Sequence, residues 1–244
     1  MNIPTAYFSK ETVPVLANKL DLPEVTLVCA DCIHIDYAIA AIERCKASFN
    51  FGAVKLLTSM ETDYSHKVEI SPLNSLSDYS VFMLSRVHEF VDTSHMLVVQ
   101  HDGWIINANK WEPSWLQMDY IAPLFLHKHT TTSTSVGSGG FSLRSKALMA
   151  FVAAQLPRWE SSANTAQLMD LARCYEDGYI SMSLRDKLLR AGFQIAPPHV
   201  AAQFAQGGNR DPAYHVERPF GFHGLWPNID HDGSIDVTNW EYGQ

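Results

Sequence analysis

Two acidic residues stand where predicted buried strands end, which is a position suited to binding a ligand. Asp31 follows a β-prone apolar run at residues 25–29, and Asp102 follows a second run at residues 95–100. In open parallel sheets, ligands bind beyond the carboxyl ends of the strands. A carboxylate there can hold Mg²⁺ or Mn²⁺, which take one or two carboxylates together with phosphate oxygens. Because Asp-Gly is also a common turn signal, a plain turn at Asp102 is the alternative.

A glycine-rich segment, VGSGGFSLR, occupies residues 136–144 and contains Gly137, Gly139 and Gly140. Glycine lets another group approach the backbone closely, so this segment is a candidate ligand-binding loop. It is not a Walker loop, because no Gly-Lys-Ser/Thr follows, and it is not a clean dinucleotide fingerprint. A flexible turn before a strand is the alternative.

Two further segments carry side chains suited to catalysis or metal binding. Glu176 and Asp177 follow a tyrosine, and a carboxylate there can act as a general base toward an acceptor hydroxyl. Adjacent acids at the start of a helix also favour its dipole, which is a purely structural role. His223 lies between glycines in the aromatic segment FGFHGLW, and imidazole is a common ligand of Mn²⁺-like metals. A core histidine is the alternative.

The elements that position these residues alternate along the first half of the chain. The predicted strands lie at residues 25–29, 54–58, 68–70 and 95–100. Helical periodicity appears at residues 35–45 and 79–91, with Ser77 as the expected N-cap of the second helix. Further helices are expected at about 146–156 and after residue 177, and a late strand at 193–196. This alternation predicts an α/β domain with a mainly parallel central sheet.

Composition and charge narrow the class of protein. The 244 residues are 46% hydrophobic and 18% charged, which is typical of a folded domain with a sizeable core. The formal net charge is −8 and no basic patch is visible, so a nucleic acid polymer is not an expected partner. No transmembrane segment and no secretory signal are predicted. We therefore expect a cytoplasmic protein, and peripheral docking at the inner membrane stays open.

Five segments in order, VVQHDGW, DYIAPL, VGSGGFSLRS, YED and FGFHG, resemble a bacterial domain of unknown function related to glycosyltransferases of the GT-A fold. The resemblance implies a single GT-A-like domain over residues 1–244. Its nucleotide-binding half would span about 20–105, and its acceptor and catalytic half about 106–244. The implied reaction moves a sugar from a nucleoside-diphosphate sugar, expected to be a UDP-sugar, to a hydroxyl of a carbohydrate or glycoconjugate acceptor. The implied cofactor is Mn²⁺ or Mg²⁺.

The resemblance also assigns roles to individual residues. Asp102 matches the last acid of a metal-binding DxD motif, and His223 matches a C-terminal metal-binding histidine. Asp177, with Glu176 beside it, matches an acidic pair whose aspartate is the base of inverting members. The remaining expected contacts are Cys29, Asp31, Asp102 and Gly103 with the nucleotide, and Trp104, Gly137, Gly139, Gly140 and Phe141 with the donor and acceptor.

The sequence departs from the implied pattern at two positions. Gln100 replaces the first acid of the DxD motif, so metal affinity is expected to be weaker or the metal dispensable. Ser138 stands where the glycine-rich loop is expected to carry asparagine. A literal DxD at Asp230 and Asp232 ranks below Asp102, because it lies in a polar tail and not at the end of an apolar strand.

Three other functions fit parts of the sequence. Cys29 and Cys32 form a CxxC between a predicted strand and a predicted helix, as in thiol oxidoreductases. Tryptophans at positions 104, 111 and 115 could stack on sugars in a non-catalytic binding module, or could fill the core. A nucleotidyltransferase would also use a metal and a nucleotide in an α/β sheet.

Overall fold

The computed structural model describes residues 18–126, 134–156, 175–207, 214, 216 and 219–224. Within that part of the chain, the strands are β1 (Leu20–Ala30), β2 (Phe49–Thr58), β3 (Lys67–Glu69), β4 (His95–Val99), β5 (Tyr120–Ile121), β6 (Leu124–Leu126), β7 (Thr134–Val136), β8 (Phe141–Ser145), β9 (Ala205–Gln206) and β10 (Gly221–Phe222).

The helices follow the same chain order. They are α1 (Ile35–Ser48), α2 (Leu76–Ser85), α3 (Lys146–Gln155), α4 (Glu176–Gly178), α5 (Arg185–Arg190) and α6 (Pro198–Phe204). A π-helical turn at Tyr179–Ser183 continues α4, and 3₁₀ turns lie at Val87–Phe90, Ala108–Lys110 and Pro113–Gln117.

Six strands form the central sheet in the order β3-β2-β1-β4-β8-β5. The first four run parallel, whereas β8 is antiparallel to β4 and β5 is antiparallel to β8. The predicted α/β class with a mainly parallel sheet is therefore confirmed. Because β1 and β4 are parallel neighbours, their carboxyl ends lie at the same edge of the sheet, which is the arrangement that ligand sites of open sheets use.

Hydrophobic side chains cover both faces of this sheet, as expected for parallel strands. Successive residues of β1 point to opposite faces, so Leu27 joins one core cluster and Val28 the other. Helix α1 contributes Ile42 to the cluster of Leu27, and α2 contributes Met83 to the cluster of Val28. The sheet is thus a rigid base from which the loops at its edge project.

Three details of the predicted elements are corrected by the structure. Ser75, and not Ser77, caps α2, because its hydroxyl accepts the N–H of Asp78 at 3.1 Å. The second strand is longer than predicted and begins at Phe49, directly after α1. The expected strand at 193–196 is reduced to one bridge between Ile195 and Tyr120.

Some predictions fall on residues outside the described part of the chain. These are the second DxD at Asp230 and Asp232, and the sequence beyond residue 224 that the resemblance includes. The division into a nucleotide-binding half and an acceptor half stays a prediction. Within the described ranges, no helix combines the length and apolar character needed to cross a bilayer.

Candidate functional site

Asp31 organises the loop at the carboxyl end of β1. One oxygen of its carboxylate, Oδ1, accepts the backbone N–H groups of Ile33 and His34 at 2.8 and 2.6 Å. The other, Oδ2, lies 3.1 Å from Nδ1 of His101, at the end of the neighbouring strand. Burial favours the neutral acid, but the hydrogen bonds from His101 and these amides outweigh it and leave the pKa of Asp31 below its ordinary value.

A cavity of about 220 Å³ opens beside Asp31, between the loop that precedes α1 and the start of α2. Tyr79, Gln100 and His101 contribute polar groups to its lining, and Leu76 contributes an exposed apolar side chain. The cavity therefore combines apolar walls with a few polar groups, which is the usual character of a small-molecule site.

Three side chains meet at the end of β4. Nε2 of His223 lies 3.0 Å from Oε1 of Gln100 and 3.4 Å from Oδ1 of Asp102. On the other side of the ring, Nδ1 lies 2.8 Å from the hydroxyl of Ser138. The two predicted metal ligands are thus neighbours, although 121 positions separate them in the sequence, and Ser138 fixes the orientation of the imidazole.

Backbone pairing explains how His223 reaches this position. The N–H of Gly224 donates to the carbonyl of Asp102 at 2.9 Å, and Ile105 and Gly221 form an antiparallel bridge. A Cβ on Gly103 would lie 2.8 Å from the carbonyl oxygen of Phe222, so the glycine permits this close approach. Gly103 therefore has a packing role in the site, and its predicted contact with a nucleotide stays a prediction.

The charges of Asp102 and His223 stabilise each other. Burial would raise the pKa of Asp102, but the neighbouring His223 outweighs it and leaves this pKa below its ordinary value. Burial would likewise lower the pKa of His223, but Asp102 outweighs it and raises this pKa. Oδ1 of Asp102 is buried and has no well-aligned hydrogen bond among the described residues, which leaves it able to accept another partner.

The three side chains at the end of β4 offer only part of the set of ligands that a hard divalent cation takes. Among the described residues, no group of three or more His, Cys, Asp or Glu side chains could hold a metal ion. Asp102, His223 and the amide oxygen of Gln100 nevertheless supply a partial set of ligands around one point. Mg²⁺ and similar ions commonly complete such sets with phosphate oxygens and water. The roles of Asp102 and His223 in metal binding stay predictions.

The glycine-rich loop lies between this cluster and the acidic pair. A Cβ on Gly140 would collide with Nε2 of His223 and lie 2.5 Å from Oε1 of Gln100. A Cβ on Gly139 would collide with Glu176. These two glycines are therefore needed for close packing against the protein's own side chains, in addition to any contact with a ligand. Gly137 donates its N–H to the carbonyl of Pro123 at 2.9 Å.

Asp177 is buried, and it lies on the side of the glycine-rich loop opposite to His223. Its Oδ2 accepts the N–H of Gly139 at 2.8 Å, and its Oδ1 accepts the N–H of Gly178 at 2.6 Å. Burial and the adjacent charge of Glu176 raise the pKa of Asp177 to about 6, despite these two hydrogen bonds. A carboxylate with that pKa is a stronger base than an exposed aspartate and is still ionised at neutral pH.

Glu176 has a different environment from Asp177. Its Oε1 lies 3.0 Å from Nη2 of Arg144, and both side chains are buried. This ion pair engages Glu176 in a structural contact, and the catalytic role predicted for Glu176 stays a prediction. Arg144 was not predicted, although a charged residue within an apolar strand pattern is a signal of a buried ion pair.

Three other predicted site residues are in the core. Cys29, Trp104 and Phe141 are at most 1% exposed, so their side chains cannot contact a ligand in this conformation. Trp104 instead packs edge-to-face against Phe222, with ring centroids 4.6 Å apart, and helps to hold the segment that carries His223. These three side chains therefore pack in the core, and the predicted contacts of the three residues with donor or acceptor stay predictions.

The burial of these residues argues against two of the alternative functions, the thiol oxidoreductase and the sugar-binding module. Burial raises the pKa of the Cys29 thiol well above its ordinary value, whereas a redox CxxC needs a reactive thiolate. Trp104 and Trp115 are buried, and Trp111 packs against Trp115 at a centroid distance of 5.4 Å. Trp104 and Trp115 fill the core, and the partly buried Trp111 packs against it, so the three do not form an exposed platform for stacking on sugars.

The fold and the site define a mixed α/β protein with a carboxylate–imidazole cluster and a buried carboxylate at one edge of its sheet. The chain belongs to the family described as protein of unknown function (DUF5672), whose model matches residues 65–223. The matched region contains Asp102, Arg144, Asp177 and His223. It begins after β2, so Asp31 lies outside it.

Comparisons with characterised proteins add little to this assignment. No curated protein matches the chain in sequence. Among solved structures, the chain is similar to a glycosyltransferase involved in the glycosylation of the major capsid of PBCV-1. The two are 14% identical, with a TM-score of 0.45, and the alignment covers 82% of this chain and 91% of that chain.

Proposed function

We propose that the protein is a metal-assisted glycosyltransferase, which moves a sugar from a nucleoside-diphosphate sugar to an acceptor hydroxyl. We expect a UDP-sugar as donor, Mn²⁺ or Mg²⁺ as cofactor, and inversion of the anomeric configuration with Asp177 as general base. The proposal joins the geometry of the site with the resemblance of five sequence segments to a domain of unknown function related to GT-A glycosyltransferases.

The observation that carries the proposal is that Asp177 lies on one side of Gly139 and Gly140, and the cluster of His223 and Gln100 on the other. Asp177 bonds to the amide of Gly139 at 2.8 Å, and Gly140 packs directly against His223 and Gln100. Inverting glycosyl transfer needs a base near the acceptor hydroxyl and positive charge near the leaving diphosphate, on opposite sides of the anomeric carbon. A short loop between the two groups is consistent with that requirement.

Each group in this arrangement has a defined task. Asp102, His223 and Gln100 would bind the cation, which supplies positive charge to the leaving group when bound. Asp177 would accept the proton of the attacking hydroxyl, and its pKa of about 6 keeps it ionised at pH 7. The cavity beside Asp31 would accept the nucleoside part of the donor.

A thermal-shift and calorimetry screen tests the donor class. UDP, GDP and their sugars are added to the protein with and without Mn²⁺, because a ligand of the folded state raises stability by RT ln(1 + [L]/Kd). We expect UDP binding that strengthens with Mn²⁺. Absence of binding by every nucleotide and sugar nucleotide in every metal condition would refute the proposal.

Product analysis then tests the reaction itself. Transfer should release a nucleoside diphosphate and give a product whose anomeric configuration is inverted, as observed by NMR. Release of pyrophosphate would identify a nucleotidyltransferase instead. Asp186→Asn is a matched control for Asp177→Asn, because Asp186 is exposed on α5, and it should leave transfer unchanged.

A further inference from the structure

A completely buried arginine connects the glycine-rich loop to the acidic pair. Nη2 of Arg144 donates to the carbonyl of Gly139 and to Oε1 of Glu176, both at 3.0 Å. Its Nε donates to the hydroxyl of Ser142 at 2.8 Å, and that hydroxyl donates to the same carbonyl of Gly139 at 2.8 Å. The carbonyl of Gly139 therefore receives two hydrogen bonds inside the protein.

These contacts restrict the backbone of Gly139, the residue whose N–H is bonded to Asp177. The carbonyl of Gly139 is fixed by Arg144 and Ser142, while its N–H points at Oδ2 of Asp177. Glycine would otherwise have unusual backbone freedom at this position. The space for a larger residue is absent, because a Cβ on Gly139 would lie 2.8 Å from Nη2 of Arg144 and 3.0 Å from Cβ of Asp177.

We propose that Arg144 is a positioning residue, which orients the carboxylate of Asp177 through the backbone of Gly139 and which has Glu176 as its counter-ion. Arg144 does not touch the reacting atoms in this scheme. The orientation of Asp177 as a base rests on the proposed glycosyl transfer, whereas the dependence of its environment on Arg144 does not.

The charged groups around Asp177 determine how a substitution should change the pKa of its carboxyl group. Glu176 lies on the same helix, Arg144 on β8, Tyr120 on β5, and His223 on the segment after β10. Glu176 disfavours the ionised form of Asp177, and Arg144 favours it. Neutralising Glu176 while Arg144 stays positive should therefore make Asp177 more acidic, and neutralising Arg144 should make it less acidic.

NMR of ¹³C-labelled aspartate side chains measures this effect without any substrate. The Asp177 signal is assigned from its loss in Asp177→Asn, and its pKa is measured in the wild type, Glu176→Gln, Arg144→Lys and Arg144→Gln. We expect the pKa to fall by at least ~0.5 in Glu176→Gln and to rise by at least ~0.5 in Arg144→Gln. If Arg144→Gln does not fold, Arg144→Lys, which keeps the charge of the side chain, decides the result.

Arg144→Lys separates positioning from charge. Lysine keeps the positive charge, so the pKa of Asp177 should rise less than in Arg144→Gln. It cannot reproduce the contacts of Nε and Nη2, so Gly139 and its hydrogen bond to Asp177 are no longer held in place. The kcat should fall at least ~10-fold while KM for the donor is unchanged, because a small misplacement of a catalytic group is costly. Arg86→Gln and Glu89→Gln are matched controls, since these residues form an exposed pair elsewhere, with 2.9 Å between Nη2 and Oε2.

The outcomes distinguish the inference from the function on which it rests. An unchanged pKa of Asp177 in Arg144→Gln, or a kcat within twofold of the wild type in Arg144→Lys, would overturn the positioning role. If no donor is ever consumed but the pKa shifts occur as expected, the glycosyltransferase proposal fails and the control of Asp177 by Arg144 stands.

Discussion

Gly140→Ala is a direct perturbation of the candidate metal cluster. The added methyl group would occupy space already filled by Nε2 of His223 and would lie 2.5 Å from Oε1 of Gln100. Since carbon atoms pack against neighbours at roughly 3.5 Å, Gln100 must retreat by about 1 Å and His223 by at least as much. Ser138 bonds to the opposite side of the imidazole at 2.8 Å, so the ring cannot retreat without losing that contact.

A displacement of this size exceeds what a metal site tolerates. Ligand distances in such sites are held within about 0.2 Å, and disturbing the groups that orient the ligands commonly costs 10–100-fold in metal affinity. We therefore expect Gly140→Ala to weaken Mn²⁺ binding in the presence of UDP by at least ~10-fold. Electron paramagnetic resonance of free Mn²⁺ in a titration with protein measures this directly, and it does not require the sugar or the acceptor to be known.

Gly178→Ala is the matched control for this experiment. A Cβ on Gly178 would meet only the flexible end of Met182, at 3.1 Å, so Mn²⁺ binding should be unchanged. Circular dichroism and thermal unfolding must show that both variants are folded. If folded Gly140→Ala binds Mn²⁺ and UDP like the wild type, the cluster of Asp102 and His223 is not the metal site.

Four further predictions follow from the structure. Asp177→Asn should lower turnover ~10²–10⁴-fold with nearly unchanged UDP affinity, in kinetics and calorimetry. Because the pKa of Asp177 is raised to about 6 and its ionised form is the base, wild-type kcat should decline ~10-fold per pH unit below 6. Ser138→Ala should weaken Mn²⁺ binding ~10-fold by releasing the His223 ring, as measured by paramagnetic resonance. In native protein treated with iodoacetamide, mass spectrometry should find Cys32 modified and Cys29 unmodified, because Cys29 is fully buried.

Local sequence patterns were sufficient to predict the parallel part of the sheet. The apolar runs before Asp31 and Asp102 are continuous, and such runs identify strands that are buried on both faces. Their parallel pairing then brings the two carboxyl ends to the same edge. The antiparallel insertion of β8 beside β4 could not be predicted in this way, because pairing between Leu97 and Leu143 depends on contacts between distant segments.

The burial of three predicted site residues could not be predicted for the same reason. Cys29, Trp104 and Phe141 are close in sequence to candidate site residues, but proximity along the chain does not say which way a side chain points. In an extended strand successive side chains alternate between faces, so a residue beside the site can belong to the core. The contact of Arg144 with Glu176 was missed because 32 positions separate the partners and only the folded chain joins them.

The replacement of an acid by Gln100 has a consequence for how donor and metal would bind. An amide oxygen is a neutral ligand, and Asp102 is then the only carboxylate beside His223 in the described cluster. Such a set is incomplete for Mg²⁺ or Mn²⁺, which need further oxygen ligands, and a diphosphate supplies them together with negative charge. Affinity for the cation should therefore depend on the nucleotide. By thermodynamic linkage, the affinity for the nucleotide must depend on the cation by the same factor. The predicted strengthening of UDP binding by Mn²⁺ therefore follows from the incomplete set of protein ligands.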